Sequence, residues 1–335
     1  MSGLLDGYDG VLLDLDGTVV RGARAVGEAP EVVNELRQAG LVVHFITNNA
    51  SRAPEEVAEQ LTGLGIRTTP EEVLTSGQAA ATLLESLLPA GSAVLVVGAA
   101  ALVAAVRSVG LRPVAEAAEE PVAVVQGHSR ETGWAQLSEA CLAIRSGAKW
   151  IACNIDPTLP SERGLLPGNG AMVAALQTAT GHEPTVAGKP ARPLLDMAVN
   201  RIGAQHLLVV GDRLDTDIAG ARAAGLDALL VLSGVSDVVA VLAAPAEQRP
   251  THLAADVRVL RGSLDKTLVQ PRRGWRVEID QAADCLLLSS DGAGEDPLDA
   301  VRTLCAVWWE EHSGSVEVRA CDDTAATALE EVGLA

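Results

Sequence analysis

Seven apolar runs recur between residues 10 and 233, and stretches of helical period separate them. They read "VLLDLD", "LVVHFIT", "AVLVVG", "VAVVQG", "KWIACN", "HLLVVGD" and "ALLVLSG". Such runs lack the alternation of a strand with one wet face, so both faces must be covered. The intervening segments, among them "APEVVNELRQAG" and "PEEVAEQLTGLG", supply the covering helices. Gly40, Gly65, Gly110, Gly181 and Gly203 stand where those helices should end. The pattern specifies an α/β fold with a doubly wound, mainly parallel sheet. "TPEEV" at 69–73 predicts one more helix start, with Thr69 as N-cap, Pro70 at the first position and Glu72 closing a capping box. With one Tyr and one Phe, the core must be built from Ala, Val and Leu.

Composition excludes several function classes. A net charge of −19 on 335 residues repels nucleic acid and anionic lipid, so neither is expected as a partner. A small anionic substrate remains compatible, because local fields and bound divalent cations can oppose the net charge. Five cysteines, Cys141, Cys153, Cys285, Cys305 and Cys321, form no CxxC pair, which argues against a disulfide framework or thiolate zinc site and fits a reducing cytoplasm. The start, "MSGLLDGYDG", lacks the basic and long apolar regions of a signal peptide. Residues 87–106 carry no charge, but Pro89, Gly91 and Gly98 divide them into strand, turn and helix rather than a membrane span.

Polar residues gather where apolar runs end. "VLLDLD" ends in Asp14 and Asp16, separated only by Leu15. Asp16-Gly17 could form a hairpin turn, with Val19 and Val20 starting a return strand. The other run ends argue otherwise. "VVHFIT" closes on Thr47, followed by Asn48, Asn49 and Ser51; "LLVVGD" closes on Asp212, followed by Asp215 and Asp217; Lys189 lies in "GKP" just before a helix starting near Ala191. In an open parallel sheet these ends share one edge, where ligands bind. Three carboxylates, a hydroxyl and an ammonium converging there suit Mg²⁺ beside a phosphate. Pro190 stands where a P-loop needs Ser or Thr, which excludes that alternative.

In this order the four segments resemble the motifs of haloacid dehalogenase (HAD) superfamily phosphatases: "DLDGT" at 14–18, "ITNNAS" at 46–51, "GKP" at 188–190 and "GDRLDTDI" at 211–218. About 140 residues part Thr47 from Lys189 and carry their own strand–helix pattern. That insertion resembles the large α/β cap of the NagD-type, para-nitrophenyl-phosphatase-like branch. The resemblance covers roughly residues 5–262. It implies a Rossmann-like core at 1–75 and 186–262, with a cap that selects substrate at 76–185. It also implies hydrolysis of a small phosphorylated metabolite through an aspartyl-phosphate. Asp14 is then the nucleophile and Asp16 the general acid and base. Asp14, the Asp16 carbonyl and Asp212 hold Mg²⁺, with Asp217 behind them. Gly17, Thr18, Thr47, Asn48, Asn49 and Lys189 bind phosphate.

The cap segments "QGHSRET" and "NIDPTLPSERG" offer His128, Arg130, Arg163, Asp156 and Leu159 toward substrate. They hold no aromatic residue for stacking a base, which favours a short aliphatic substrate, glycerol 3-phosphate first and phosphoglycolate second. A non-catalytic phosphate-binding module is the alternative from another class. Residues 265–335 form a further unit that opens with the linker "DKTLVQPRRG" and takes up its strands from Trp275 onward. Its order of two strands, helix, strand and helix resembles part of a GNAT-type acetyltransferase, with Gly292 and Gly294 at the loop that would meet CoA. Ser289 stands where that family carries Gln or Arg, and Asp291, Glu295 and Asp296 would repel a pyrophosphate, so a structural, oligomeric or regulatory role is expected instead of a bifunctional acyl-CoA-binding one. Homo-oligomerisation through the cap or this unit stays open.

Overall fold

The computed structural model describes residue 5 and residues 7–161, 163–280, 282–283, 285–292 and 296–334. Two compact units divide the chain: residues 1–21, 25–43 and 204–335 form one, and residues 22–24 and 44–203 the other. Both are α/β. In the first unit, Gly10–Asp14, Leu207–Gly211, Asp227–Val231 and His252–Ala254 pair in that order, all parallel, with Leu12 opposite Val209, Val209 opposite Ala228 and Leu229 opposite His252. The first three of these strands are buried along nearly their whole length, as their continuous apolar character requires. The helix Ala29–Gln38 buries Ala29, Val32, Val33 and Leu36, one face at helical spacing.

In the second unit the strand Val42–Thr47, which starts in the first, pairs in parallel with Val73–Thr75. A separate parallel sheet runs in the order Thr185–Val186, Lys149–Ala152, Ala123–Gln126, Ala93–Val97 and Arg112–Val114. Its core is aliphatic apart from Trp150, whose indole N–H donates to Gln126 Oε1 at 3.2 Å. The uncharged stretch at 87–106 resolves into a helix end, the strand Ala93–Val97 and the helix Ala100–Ser108. No helix among the described residues is long and apolar enough to cross a membrane.

Two expectations need correction. Thr69 and Glu72 do form their reciprocal cap, with the Thr69 N–H donating to Glu72 Oε2 at 2.8 Å, but it opens only a 3₁₀ turn, Pro70–Glu72. Val73, Leu74 and Thr75 follow at once as a buried strand, and β-branched burial there ends the helix before it can propagate. The segment read as a linker is packed: Leu268 bridges His252, the Val269 N–H donates to Thr251 O at 3.0 Å, and Thr267 is buried. It adds to the edge of the sheet and so covers unpaired backbone groups there.

The C-terminal strands form a mixed sheet. Trp275–Asp280 is antiparallel to Cys285–Ser290, and Glu317–Ala320 is parallel to it. The helix Pro297–Trp309 fastens this module to the parallel sheet. Arg302, 3% exposed, donates to Leu253 O at 2.8 and 3.1 Å and pairs with Asp299 at 2.6 Å and Asp296 at 3.1 Å. Trp309 Nε1 donates to Leu242 O, and Arg249, beneath the Trp309 ring, donates to Trp309 O and His312 O. Gly294 and Glu295 of the expected CoA loop lie outside the described residues.

Removing a buried charge from such a network strands its partners. Arg302→Ala should therefore lose about 3 kcal/mol of unfolding free energy, read by urea denaturation. A second polar network joins the sheet edge to the N-terminal segment. Tyr8 lies 2.9 Å from Asp227 and 3.1 Å from His252 Nε2, and His252 Nδ1 lies 2.9 Å from Thr267 Oγ1. Burial holds the His252 imidazole below its ordinary value, against the pull of Asp227 and Asp265. The unfolded chain then binds more protons at that site, so stability falls as pH drops below about 6.5. A His252→Gln variant should show a flatter dependence of melting temperature on pH between about 5.5 and 7.

Candidate active site

Asp14 is the last residue of its strand, and Asp212 directly follows Gly211, the last residue of the neighbouring one. Parallel register therefore brings the two carboxylates to the same sheet edge. Asp217 joins them from the π-helical turn Leu214–Ile218. One oxygen from each of Asp14, Asp212 and Asp217 lies within 4.8 Å of the others, and the residues are only 7%, 0% and 1% exposed. Like charges at that separation repel by about 3.5 kcal/mol per pair at an effective dielectric near 20. A hard divalent cation relieves this, and an all-oxygen donor set fits Mg²⁺ or Ca²⁺. Asp217 lies close beside the other two, and its Oδ2 accepts the Arg213 N–H at 3.1 Å.

The loops hold Asp212 closely. Its Oδ2 accepts the Val235 N–H at 2.7 Å, and its carbonyl accepts the Ser236 N–H at 3.0 Å. A Cβ on Gly17 or Gly234 would overlap the Asp212 carboxylate, and Gly17 also has φ +94°, so only glycine suits that turn. Ser233 Oγ donates to Gly17 O at 3.0 Å and ties the two glycine loops together. The sequence reading passed over Ser233, Gly234 and Ser236; the small residues ending "ALLVLSG", at the same sheet edge, were the signal. The hairpin alternative is half right. Gly17 N–H donates to Val20 O at 2.8 Å and Val20 N–H to Leu15 O at 2.8 Å, a tight turn, but among the described residues Val20–Arg21 pairs with Arg24–Ala25 and not with Gly10–Asp14. Asp16 is exposed on that turn. Thr18 is fully buried, and its hydroxyl makes no hydrogen bond among the described residues.

The second unit assembles its own polar cluster. Thr47 Oγ1 accepts the Asn49 N–H at 3.1 Å, which leaves its proton to give. Asn49 Oδ1 is committed to Ser51, accepting its N–H at 2.8 Å and its hydroxyl at 2.7 Å, so this side chain shapes the turn. Asn48 binds the backbone of Lys189 at both N–H and C=O and also reaches Asp156. Lys189 is 2% exposed, precedes a cis bond to Pro190, and leads into the helix Arg192–Ile202. Leu159 lies in the antiparallel ladder of Thr158–Ser161 with Gly164–Pro167, opposite Leu166. Arg130 and Arg163 are exposed, and burial together with Arg130 holds the His128 imidazole low. Burial pushes the Cys153 thiol up to about 12, so it supplies no thiolate.

Residues 11–112 match the haloacid dehalogenase-like hydrolase family model, and residues 186–260 match a second HAD-hydrolase-like model. The chain is 46% identical over 339 aligned positions, 98% of its length and 95% of the other's, to D-glycerol 3-phosphate phosphatase of Mycobacterium tuberculosis. The chain belongs to the haloacid dehalogenase-like hydrolases. The crystal structure of glycerol phosphate phosphatase from Mycobacterium tuberculosis in complex with magnesium superposes with TM-score 0.94 at 46% identity, covering 100% of both chains. The p-nitrophenyl phosphatase from Archaeoglobus fulgidus does so with TM-score 0.69 at 28% identity, over 76% of this chain and 98% of its own. Our chain is thus a phosphatase of the NagD-type, p-nitrophenyl-phosphatase-like branch. Residues 272–334 match a GCN5-related N-acetyltransferase-like domain, in line with the C-terminal resemblance.

The crowded glycine at position 234 gives a direct check of the phosphatase's cation site. Gly234→Ala should weaken divalent-cation binding at least about tenfold by displacing Asp212, in isothermal titration. Gly262→Ala, where a Cβ meets nothing within 4 Å, should leave it unchanged.

Proposed function

We propose that the protein is a Mg²⁺-dependent phosphomonoesterase that hydrolyses glycerol 3-phosphate through an aspartyl-phosphate. The observation that carries the chemistry is the buried trio Asp14, Asp212 and Asp217 at the strand ends. The substrate assignment is supported by identity along almost the whole chain with D-glycerol 3-phosphate phosphatase, and by cap segments without an aromatic platform for a base. We assign the core to 1–75 and 186–262, the cap to 76–185 and the C-terminal module to 265–335.

Bound among the three carboxylates, Mg²⁺ would mask the repulsion between an attacking carboxylate and a phosphate anion. The Asp14 carboxylate attacks phosphorus in line. The bond from phosphorus to the leaving oxygen breaks, and Asp16 gives that alkoxide its proton. Asp16, now a carboxylate, takes a proton from water. The water oxygen attacks phosphorus, and the acyl-phosphate bond breaks to release inorganic phosphate and free Asp14. Asp16 is exposed on the turn after Asp14, where solvent can exchange its proton between the two half-reactions. Thr47 donates its hydroxyl proton to a phosphoryl oxygen, and Lys189 supplies positive charge where negative charge grows.

Asp14→Asn should fold normally and lose turnover by at least about four powers of ten, since an amide cannot attack phosphorus. Release of phosphate from glycerol 3-phosphate, phosphoglycolate and a nucleoside 5′-monophosphate, with Mg²⁺ and with excess EDTA, measures both claims. Full activity in chelator would exclude the metal. Equal turnover of the nucleotide would exclude the aliphatic preference.

A further inference from the structure

We propose that Asn48 is a positioning residue that joins Lys189 to the cap residue Asp156, so that the group neutralising phosphate is set by the segment that meets the rest of the substrate. The inference rests on the phosphatase reading above and extends it. A carboxamide has two donor hydrogens and one acceptor oxygen, and Asn48 uses all three on one side of the cluster. Its Oδ1 accepts the Lys189 N–H at 2.8 Å. Its Nδ2 donates one hydrogen to Lys189 O at 2.9 Å and the other to Asp156 Oδ2 at 3.1 Å. Only this orientation works, because a flipped amide would set its N–H₂ against the Lys189 N–H and its oxygen against two acceptors. Lys189 is thereby gripped at both backbone groups by a single side chain, as if by a neighbouring strand.

Surrounding residues fix Asn48 itself. Its backbone carbonyl accepts Ser76 Oγ at 2.5 Å and Asn154 Nδ2 at 2.7 Å. Asn154 Oδ1 in turn accepts the Asp156 N–H at 3.2 Å, so Asp156 is held at its backbone by Asn154 and at its carboxylate by Asn48. Gly188 completes the fit, since a Cβ there would fall 2.5 Å from Asn48 Oδ1 and 2.5 Å from Cys153 O. The functional consequence follows from lysine chemistry. An ammonium on a four-carbon stem is a point charge with many rotamers, and its placement depends on the backbone that launches it. Displacing Asp156 pulls on Asn48, and through it on both backbone groups of Lys189. A change in the cap segment is therefore felt in kcat, where Lys189 acts on the transferring group, and not only in KM.

A double-mutant cycle tests this. Asn48→Asp keeps the acceptor for the Lys189 N–H but turns lone pairs toward Lys189 O and the Asp156 carboxylate. It should fold and lose at least about tenfold in kcat. Adding Asp156→Asn restores a donor opposite the new carboxylate and should regain at least about tenfold in kcat/KM over Asn48→Asp alone; with the loss from Asp156→Asn alone subtracted, the coupling is at least about 1.4 kcal/mol. Losses that simply multiply, or a change confined to the melting temperature, would overturn the positioning role. If Asn48→Asp does not fold, Asn48→Ser replaces it in the same cycle and should show non-additivity with Asp156→Asn; additive effects count against the proposal. Inorganic phosphate affinity, titrated calorimetrically in the presence of Mg²⁺ on the same proteins, carries the cycle independently of turnover. A wild-type protein that hydrolyses no monoester yet shows coupled phosphate affinities would sink the hydrolase reading and leave the link standing. Turnover without coupling would do the reverse.

Discussion

Mutual repulsion among three buried carboxylates is the constraint on which the first unit depends. Asp14, Asp212 and Asp217 each lie under a tenth exposed, within 4.8 Å of one another. Burial removes the water that would screen them, so the fold must hold them by other means until a cation arrives. It does so with backbone donors: Val235 N–H on Asp212 and Arg213 N–H on Asp217. Room for that grip comes from glycines at 17, 211 and 234, where any side chain would strike one of the carboxylates. The strand ends are thus built around charge that the apolar sheet could not otherwise tolerate.

A complementary logic governs the second unit. Lys189 there is buried, and its backbone is held by the Asn48 side chain. Side-chain amides recur there: Asn48, Asn154 and Asn169 form a chain, with Asn169 Nδ2 donating to Asn154 O at 2.6 Å. Amides suit such a place because each satisfies donors and acceptors together without adding charge. The C-terminal module solves a different problem. Through Arg302 and Trp309 it satisfies the carbonyls of Leu253, in the edge strand of the parallel sheet, and of Leu242, at the end of the helix Val238–Leu242. Residues 272–334 of this module also carry the likeness to an acetyltransferase-like domain.

Much of this was legible in the chain itself. The seven apolar runs gave their strands because hydrophobic periodicity is a local signal that burial reinforces. The helix "APEVVNELRQAG" came through with its buried face, and so did the C-terminal order of strand, strand, helix, strand and helix. That Asp14 and Asp212 share one sheet edge was legible because each closes an apolar run and the two runs pair in parallel. Short edge elements were not legible. Val73–Thr75, Arg112–Val114 and Thr185–Val186 are two or three residues long, too brief for any period to register, and they exist because a neighbouring strand offers them hydrogen bonds. Thr69 and Glu72 formed their cap as written, yet tertiary burial of the next three residues overrode the helix it announced.

By itself, then, the sequence determined the alternation of strands and helices, the parallel pairing that alternation forces, and the identity of the acidic and basic groups at the strand ends. Each follows from local hydrophobic pattern and from the cost of burying charge. Tertiary structure alone decided that Asp217 comes within 4.8 Å of Asp14 and Asp212, that Gly234 must be bare, that Asn49 serves a turn while Asn48 binds the Lys189 backbone, and that the supposed linker closes the sheet edge. Those outcomes depend on distances between residues as far apart in the chain as Asp14 and Asp217. Pairings of that separation are fixed by packing and by the geometry of hydrogen bonds, neither of which leaves a periodic trace along the chain.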